Sequence, residues 1–334
     1  MKNAPESLNL TSVNEQSFDH SDQTRGQEMA HAELNKFASN EGLDDLANLY
    51  STELPQDTHD KLATLQELGV ANWDFRKGAE RQATNWDNAQ LGEAGSPVWN
   101  AVFAGANKLG LVESGELQNK NPKYLAILGG ANKAPLDRLR FGLESVDNFE
   151  HVVYLGSSRP VSDVEREKAK DYAPNAQTEY DLGSGAFETV LGGRLVDEFT
   201  EVRGDDTWGT RVYEFEHNGQ TKTGFVLSTP TTIAGRRATT YDNYKFFADR
   251  AELADDPDAT VAAITTGFYS QGQHFPAIQE LTLPHGTQVE TIGHNAEYSG
   301  VQRKPSQLLQ ETKSAVDAAV RLEQAIATAE NSAA

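Results

Sequence analysis

The pattern of apolar and polar positions changes character near residue 120. Before it, apolar residues recur at helical spacing. Leu34, Phe37, Leu43, Leu46 and Leu49 form one such set, and Leu62, Leu65, Leu68 and Val70 a second. Gly69 is placed to end that second helix. Ser96-Pro97 reads as an N-cap followed by a first-turn proline. Trp73, Trp86 and Trp99 read as packing anchors of this region. After residue 120 short, almost wholly apolar runs appear, each ending in small residues: "KYLAILGG", "HVVYLGSS" and "TVAAITTG". Runs of this kind are how strands buried on both faces read. Between the first two lies "APLDRLRFGLESV", with Leu136, Leu139, Leu143 and Val146 on one helical face. "SDVEREKAKDYA" predicts a polar helix starting near Ser162. Strand, small-residue loop, helix and strand in this order describe a parallel sheet with crossover helices.

Asn218-Gly219 between two β-rich runs predicts a hairpin over 211–229, with "GFVLST" also serving the main sheet. "TQVETIG" is a last strand, and a long helix follows Pro305-Ser306. "LGSGAFE" (182–188), with Ser184 between glycines, reads as a flexible loop.

In such a sheet ligands sit beyond the carboxyl ends of the strands, where helix N-termini bring unpaired N–H groups. Four loops qualify. Gly129, Gly130 and Asn132 follow the first strand, and Gly156, Ser157, Ser158 and Arg159 the second. Thr239, Thr240 and Asn243 open the helix of "ATTYDNYKFFADR", where capping is the reading that isolated residues favour. Thr265 and Thr266 end a later strand, with Tyr269 just beyond. Arg138 and Arg140 fall off the apolar face of their helix and read singly as solvated. His151, His217, His285 and His294 show no mutual ligand spacing, which argues against zinc. Neither a dinucleotide fingerprint nor a phosphate-binding P-loop is present.

Charge and composition narrow the class. The 334 residues hold 29 basic and 50 acidic side chains, a net charge of −21 spread along the chain. That argues against nucleic acid and anionic membranes as partners. Cysteine is absent, which excludes disulfides and thiolate chemistry. No apolar run approaches the ~20 residues of a membrane span, and the first twenty residues lack a secretory signal's apolar core. A cytoplasmic location is the expectation, with a disordered polar tail over 1–28.

Taken in order, "YLAILGG", "RLRFGLE", "VVYLGSSRPVSDVERE", "ATTYDNYKFFA" and "VAAITTGFYSQGQHFPA" resemble segments of the SanA/ElyC/YdcF-like bacterial family over roughly residues 122–300. Gly129 and Gly130 match its first element, Arg138 its helix arginine, and Gly156, Ser157 and Ser158 its second strand end. Glu165 matches its glutamate, Thr240, Asp242 and Asn243 its polar helix mouth, and Thr265 and Thr266 the last strand end. Tyr269 and Gly272 stand where the family carries histidine and arginine. The resemblance implies a Rossmann-like fold, so the α/β class expected is a doubly wound, mostly parallel sheet; the N-terminal helical region and the inserted β-hairpin (about 200–229), read from the residue pattern, lie outside the family core. The organisation expected is a helical region over 29–120 packing on the core, an α/β domain over 121–300, and a C-terminal helix and tail over 301–334. The function implied is binding of an anionic or nucleotide-like small molecule at the strand ends, with S-adenosylmethionine or a nucleotide as candidate ligands. A transferase or hydrolase activity is one extension of that reading. The alternative is a non-catalytic interaction module, with residues 29–120 as the surface for a protein partner.

Overall fold

A computed structural model describes residues 20–79, 84–203, 206–231, 236–256, 258–300 and 303–333. Helices come first: α1 (His20–Ala38), α2 (Glu41–Asn48), α3 (Thr58–Leu68), a π-helical turn over Gly69–Trp73, and α4 (Pro97–Lys108). Helix α1 begins inside the stretch expected as a tail; residues 1–19 lie outside the described residues. Local chemistry fixes the starts. Asn40 and Asp57 accept from the backbone N–H groups of Gly42 and Asp60. Ser96 accepts from that of Trp99, with Pro97 in the first turn.

The α/β part follows. It runs β1 (Tyr124–Leu128), α5 (Ala134–Ser145), β2 (His151–Ser157), α6 (Asp163–Ala169), α7 (Glu179–Leu191), β3 (Arg194–Arg203), β4 (Asp206–His217), β5 (Gln220–Thr229) and α8 (Thr240–Arg250). Then come β6 (Thr260–Thr266), α9 (Ser270–Ala277), the short α10 (Leu283–His285), β7 (Gln288–His294), the short α11 (Ala296–Ser299) and the long α12 (Pro305–Ala333). The seven strands form one mostly parallel sheet in the order β3-β4-β5-β2-β1-β6-β7. In its parallel core Tyr124 pairs with His151 and Val261, and His151 with Thr223. All five β1 residues are buried, as their unbroken apolar run requires. From β1 the chain steps out through β2 to β5, then returns past β1 to β6, so the winding reverses between β1 and β6.

Strands β3, β4 and β5 form an antiparallel extension of that core. The Asn218-Gly219 turn joins β4 to β5 with positive φ at both residues, 51° and 74°, the geometry of a tight two-residue hairpin. The extension starts earlier than expected, because β3 already pairs with β4 from Arg194.

Residues 182–188 are helix, the middle of α7, where a loop was expected. A capping box starts the helix: Asp181 accepts from the Thr178 N–H, and Thr178 accepts from the Asp181 N–H. Its glycines serve close packing. A Cβ at Gly183 would lie 2.3 Å from the Tyr154 ring.

The chain divides into two compact units. One comprises Glu116–Thr265 with Glu280–Thr291 and the start of α1; the other comprises Gln27–Gly115, Thr266–Gln279 and Ile292–Ala334. In the second unit α12 packs against α3, α4, α9 and the π-helical turn. Its buried Leu308, Leu309, Val316, Ala319 and Leu322 form one side of that core. No helix among the described residues is long and apolar enough to cross a membrane.

Candidate functional site

In the first unit the ends of β1 and β2 meet the starts of α5, α7 and α8. Gly129 continues the sheet, its N–H donating to the Leu155 carbonyl at 2.8 Å. A Cβ here would lie 2.7 Å from that carbonyl oxygen and 2.9 Å from a Glu179 carboxylate oxygen, so the position requires glycine. The Ser157 hydroxyl donates to Glu179 at 2.7 Å. Burial pushes the Glu179 carboxyl above the usual glutamate range, against the Ser157 hydrogen bond and the charges of Arg159 and Arg138.

Arg138 is buried, not solvated. Its Nη1 donates to the Leu128 carbonyl at 2.8 Å and to the Gly129 carbonyl, so the guanidinium completes the end of β1. Arg159 reaches Glu165 at 3.1 Å. The Ser162 N–H donates to the same carboxylate at 2.8 Å. Burial alone would raise the Glu165 pKa; the Ser162 and Arg159 hydrogen bonds outweigh it and hold the carboxyl below its ordinary range.

Thr239 is the N-cap of α8. Asp242 accepts from its N–H and its hydroxyl at 2.7 Å each, and from Arg236 at 2.7 Å. Thr240 is the first residue of that helix. One turn on, the Asn243 amide donates to the Leu155 carbonyl at 3.3 Å. Asn132 sits in the left-handed region at φ 57°, and its carbonyl accepts from the Tyr172 hydroxyl. The structure thus sets Gly129 and Ser157 against Glu179, a residue with no sequence signal, with Arg138 near enough to act on its charge, while Gly130 adjoins Arg138 and Asn243 joins the Leu155 carbonyl. Arg159 and Glu165 form a second ring, joined to the first where Ser157 accepts from the Arg159 N–H at 3.3 Å. Arg138 thus binds the end of β1, while Arg159 and Glu165 bind each other and the cap of α6.

Thr265 is fully buried at the end of β6 in that unit. Thr266 and Tyr269 belong to the second unit, which contains a cavity of about 840 Å³. Trp99 and Phe103, one turn apart on α4, stack in its wall with centroids 5.7 Å apart and planes at 15°. The Arg303 guanidinium lies over the Phe268 ring at 4.4 Å. Thr266 and His294, the last residues of β6 and β7, belong to the polar lining, and the Thr266 Oγ1 is 3.3 Å from His294 Nε2. Glu113 and Glu297 line the cavity as exposed acids. Sequence reading took Trp99 as a packing anchor and found no role for His294. Its one usable signal was the position of His294 at a strand's carboxyl end. Among the described residues no group of three or more histidine, aspartate or glutamate side chains gathers as metal ligands.

Comparison with known proteins corrects the family expectation. Residues 21–109 match the Rv3785 N-terminal domain. The chain is 25% identical to the uncharacterised protein Rv3785 of Mycobacterium tuberculosis, over 90% of this chain and 91% of the relative. It is equally similar to protein Mb3814 of Mycobacterium bovis. No solved structure matches. The similarity to Rv3785 thus covers the helical region and the sheet together. The SanA/ElyC/YdcF-like resemblance rested on features that any doubly wound sheet carries: small residues at strand ends and a capped helix mouth.

Proposed function

We propose that this protein binds a small molecule that joins a flat ring to an anionic group, in the cavity at the ends of β6 and β7. The observation that carries the reading is the composition of the cavity wall. A stacked Trp99–Phe103 pair offers a ring platform, and Arg303 offers a forked cation. The volume falls in the range of small-molecule sites, roughly 300–1,000 Å³. The exposed Glu113 and Glu297 favour ligands that also carry a positive group. S-adenosylmethionine has all three parts, and nucleotides have the ring and the anion. Thermal unfolding against S-adenosylmethionine, adenosine, AMP, ATP and NAD tests the proposal. A true ligand at a hundredfold excess over its Kd stabilises by about 2.7 kcal/mol. Trp99→Ala, on a half-buried residue, weakens binding about tenfold or more while leaving the fold intact by circular dichroism. Unchanged affinity in that variant, or no ligand in the panel, refutes the proposal.

A second reading, docking of a protein partner on the helical region, has one observation in its favour. A surface hollow of about 530 Å³ is built wholly from residues between Leu49 and Val98, and Val70 in its wall is 63% exposed. Replacement of Val70 by glutamate removes capture of a partner under this reading and leaves ligand binding unchanged.

A further inference from the structure

We infer that the cavity is also a reaction site, with the Thr266 hydroxyl as nucleophile and His294 as its general base, acting on a carboxylic ester. The inference takes its substrate's shape from the cavity reading above. Its chemistry rests on a separate observation, the polarity of the hydrogen bonds around one imidazole.

His294 Nδ1 lies 3.1 Å from the Asn295 carbonyl oxygen. A carbonyl only accepts, so Nδ1 carries the hydrogen. In the neutral ring Nε2 then presents its lone pair towards Thr266 Oγ1, 3.3 Å away. In that tautomer the threonine hydroxyl is the donor of this contact. This is the direction in which a base draws a proton from a nucleophile. The reverse tautomer would leave the threonine accepting and useless for attack.

The surroundings hold this polarity in place. His294 is 1% exposed, and the Tyr298 ring lies against it with centroids 5.2 Å apart. The residue that supplies the orienting carbonyl is itself fixed twice. The Asn295 N–H donates to the Ser114 hydroxyl at 2.8 Å, and its side chain caps α11 by accepting from the Tyr298 N–H at 3.0 Å. Nucleophile, base and orienting group thus stand in sequence, and the first two line the cavity. The 3.3 Å separation is slightly longer than a working catalytic hydrogen bond, as is common in sites without substrate.

The step balances without a further reactant except water. Thr266 Oγ forms a bond to the ester carbonyl carbon as its proton passes to His294 Nε2. The carbon–alkoxide bond then breaks, and the leaving alkoxide takes the proton from Nε2. Water attacks the acyl-threonine and gives a proton to Nε2. The threonine oxygen recovers that proton as the carboxylic acid departs.

The test uses the full chain and probes whose reaction does not depend on knowing the natural ester. A fluorophosphonate and p-nitrophenyl acetate are each incubated with the folded protein, and the modified residue is located by peptide mass spectrometry. The expected result is phosphonylation and acetylation at Thr266. Thr266→Ala abolishes both, and His294→Gln slows them about a hundredfold. Thr266→Ser keeps them within about tenfold, which separates chemistry from a folding defect. Absence of label at Thr266 in the wild-type chain, or equal labelling in His294→Gln, overturns the inference. Nucleotide stabilisation without labelling leaves the binding proposal standing and removes this one. Labelling without any ligand binding does the opposite.

Discussion

At the scale of the residue, Arg138 shows how a buried cation serves a sheet. The side chain reaches back to the carbonyls of Leu128, the last residue of β1, and of Gly129 just beyond it. Hydrogen bonds from a charged donor are worth about 1.5–3 kcal/mol each, and their loss also strands buried carbonyls. Arg138→Ala is expected to lower stability in urea by about 2 kcal/mol or more. Arg138→Lys does not restore it, because an ammonium group lacks the guanidinium's spread of donors. A wild-type urea midpoint in the alanine variant would contradict this account. The sequence could not show the burial. Position 138 lies off the apolar stripe of α5, and only the placement of β1 turns that flank inward. Glu179 was hidden for a related reason. It is one acidic residue in the first turn of a helix, a place where acids are common because the helix dipole favours them.

Elements were more legible than sites. The apolar runs of β1, β2 and β6 and the Asn-Gly turn follow from burial and backbone geometry that neighbours do not override. Helix α7 is hard to read because Gly183 and Gly185 lower helix propensity, and the Thr178–Asp181 capping box that starts it went unread. Those glycines answer to packing. At Gly183 the helix backbone passes so near Tyr154 that any side chain collides with the ring. Gly183→Ala therefore destabilises by about 1–3 kcal/mol, although alanine favours helix by about 1 kcal/mol. A variant as stable as wild type would show that α7 can shift to make room. The same packing explains why a polar helix mouth is weak evidence for a ligand. Thr239 and Asp242 complete a capping box, a role such residues fill with or without a ligand nearby.

At the scale of the molecule, pH acts through groups that burial or a hydrogen-bond partner has displaced. Burial pushes His285 down to about 4. Its contribution to stability is complete above the ordinary histidine pKa of about 6.5 and is lost as pH falls from there towards 4. Urea midpoints should drop over that window by the equivalent of about 3 kcal/mol, and His285→Gln should flatten the slope. A slope unchanged in the variant would assign the acid loss elsewhere. Glu33 acts lower. The hydrogen bond from His274, at 3.4 Å, holds it down to about 2, so its contribution stands above the ordinary glutamate range and goes as pH falls towards 2. Helix α12, which packs against α3 and α4, has a consequence in time. Those early helices are synthesised about two hundred residues or more before the surface that covers them. At about 5–20 residues per second the ribosome takes roughly 10–50 s to cross that gap. Through that interval the face of α3 that α12 buries is left uncovered by it.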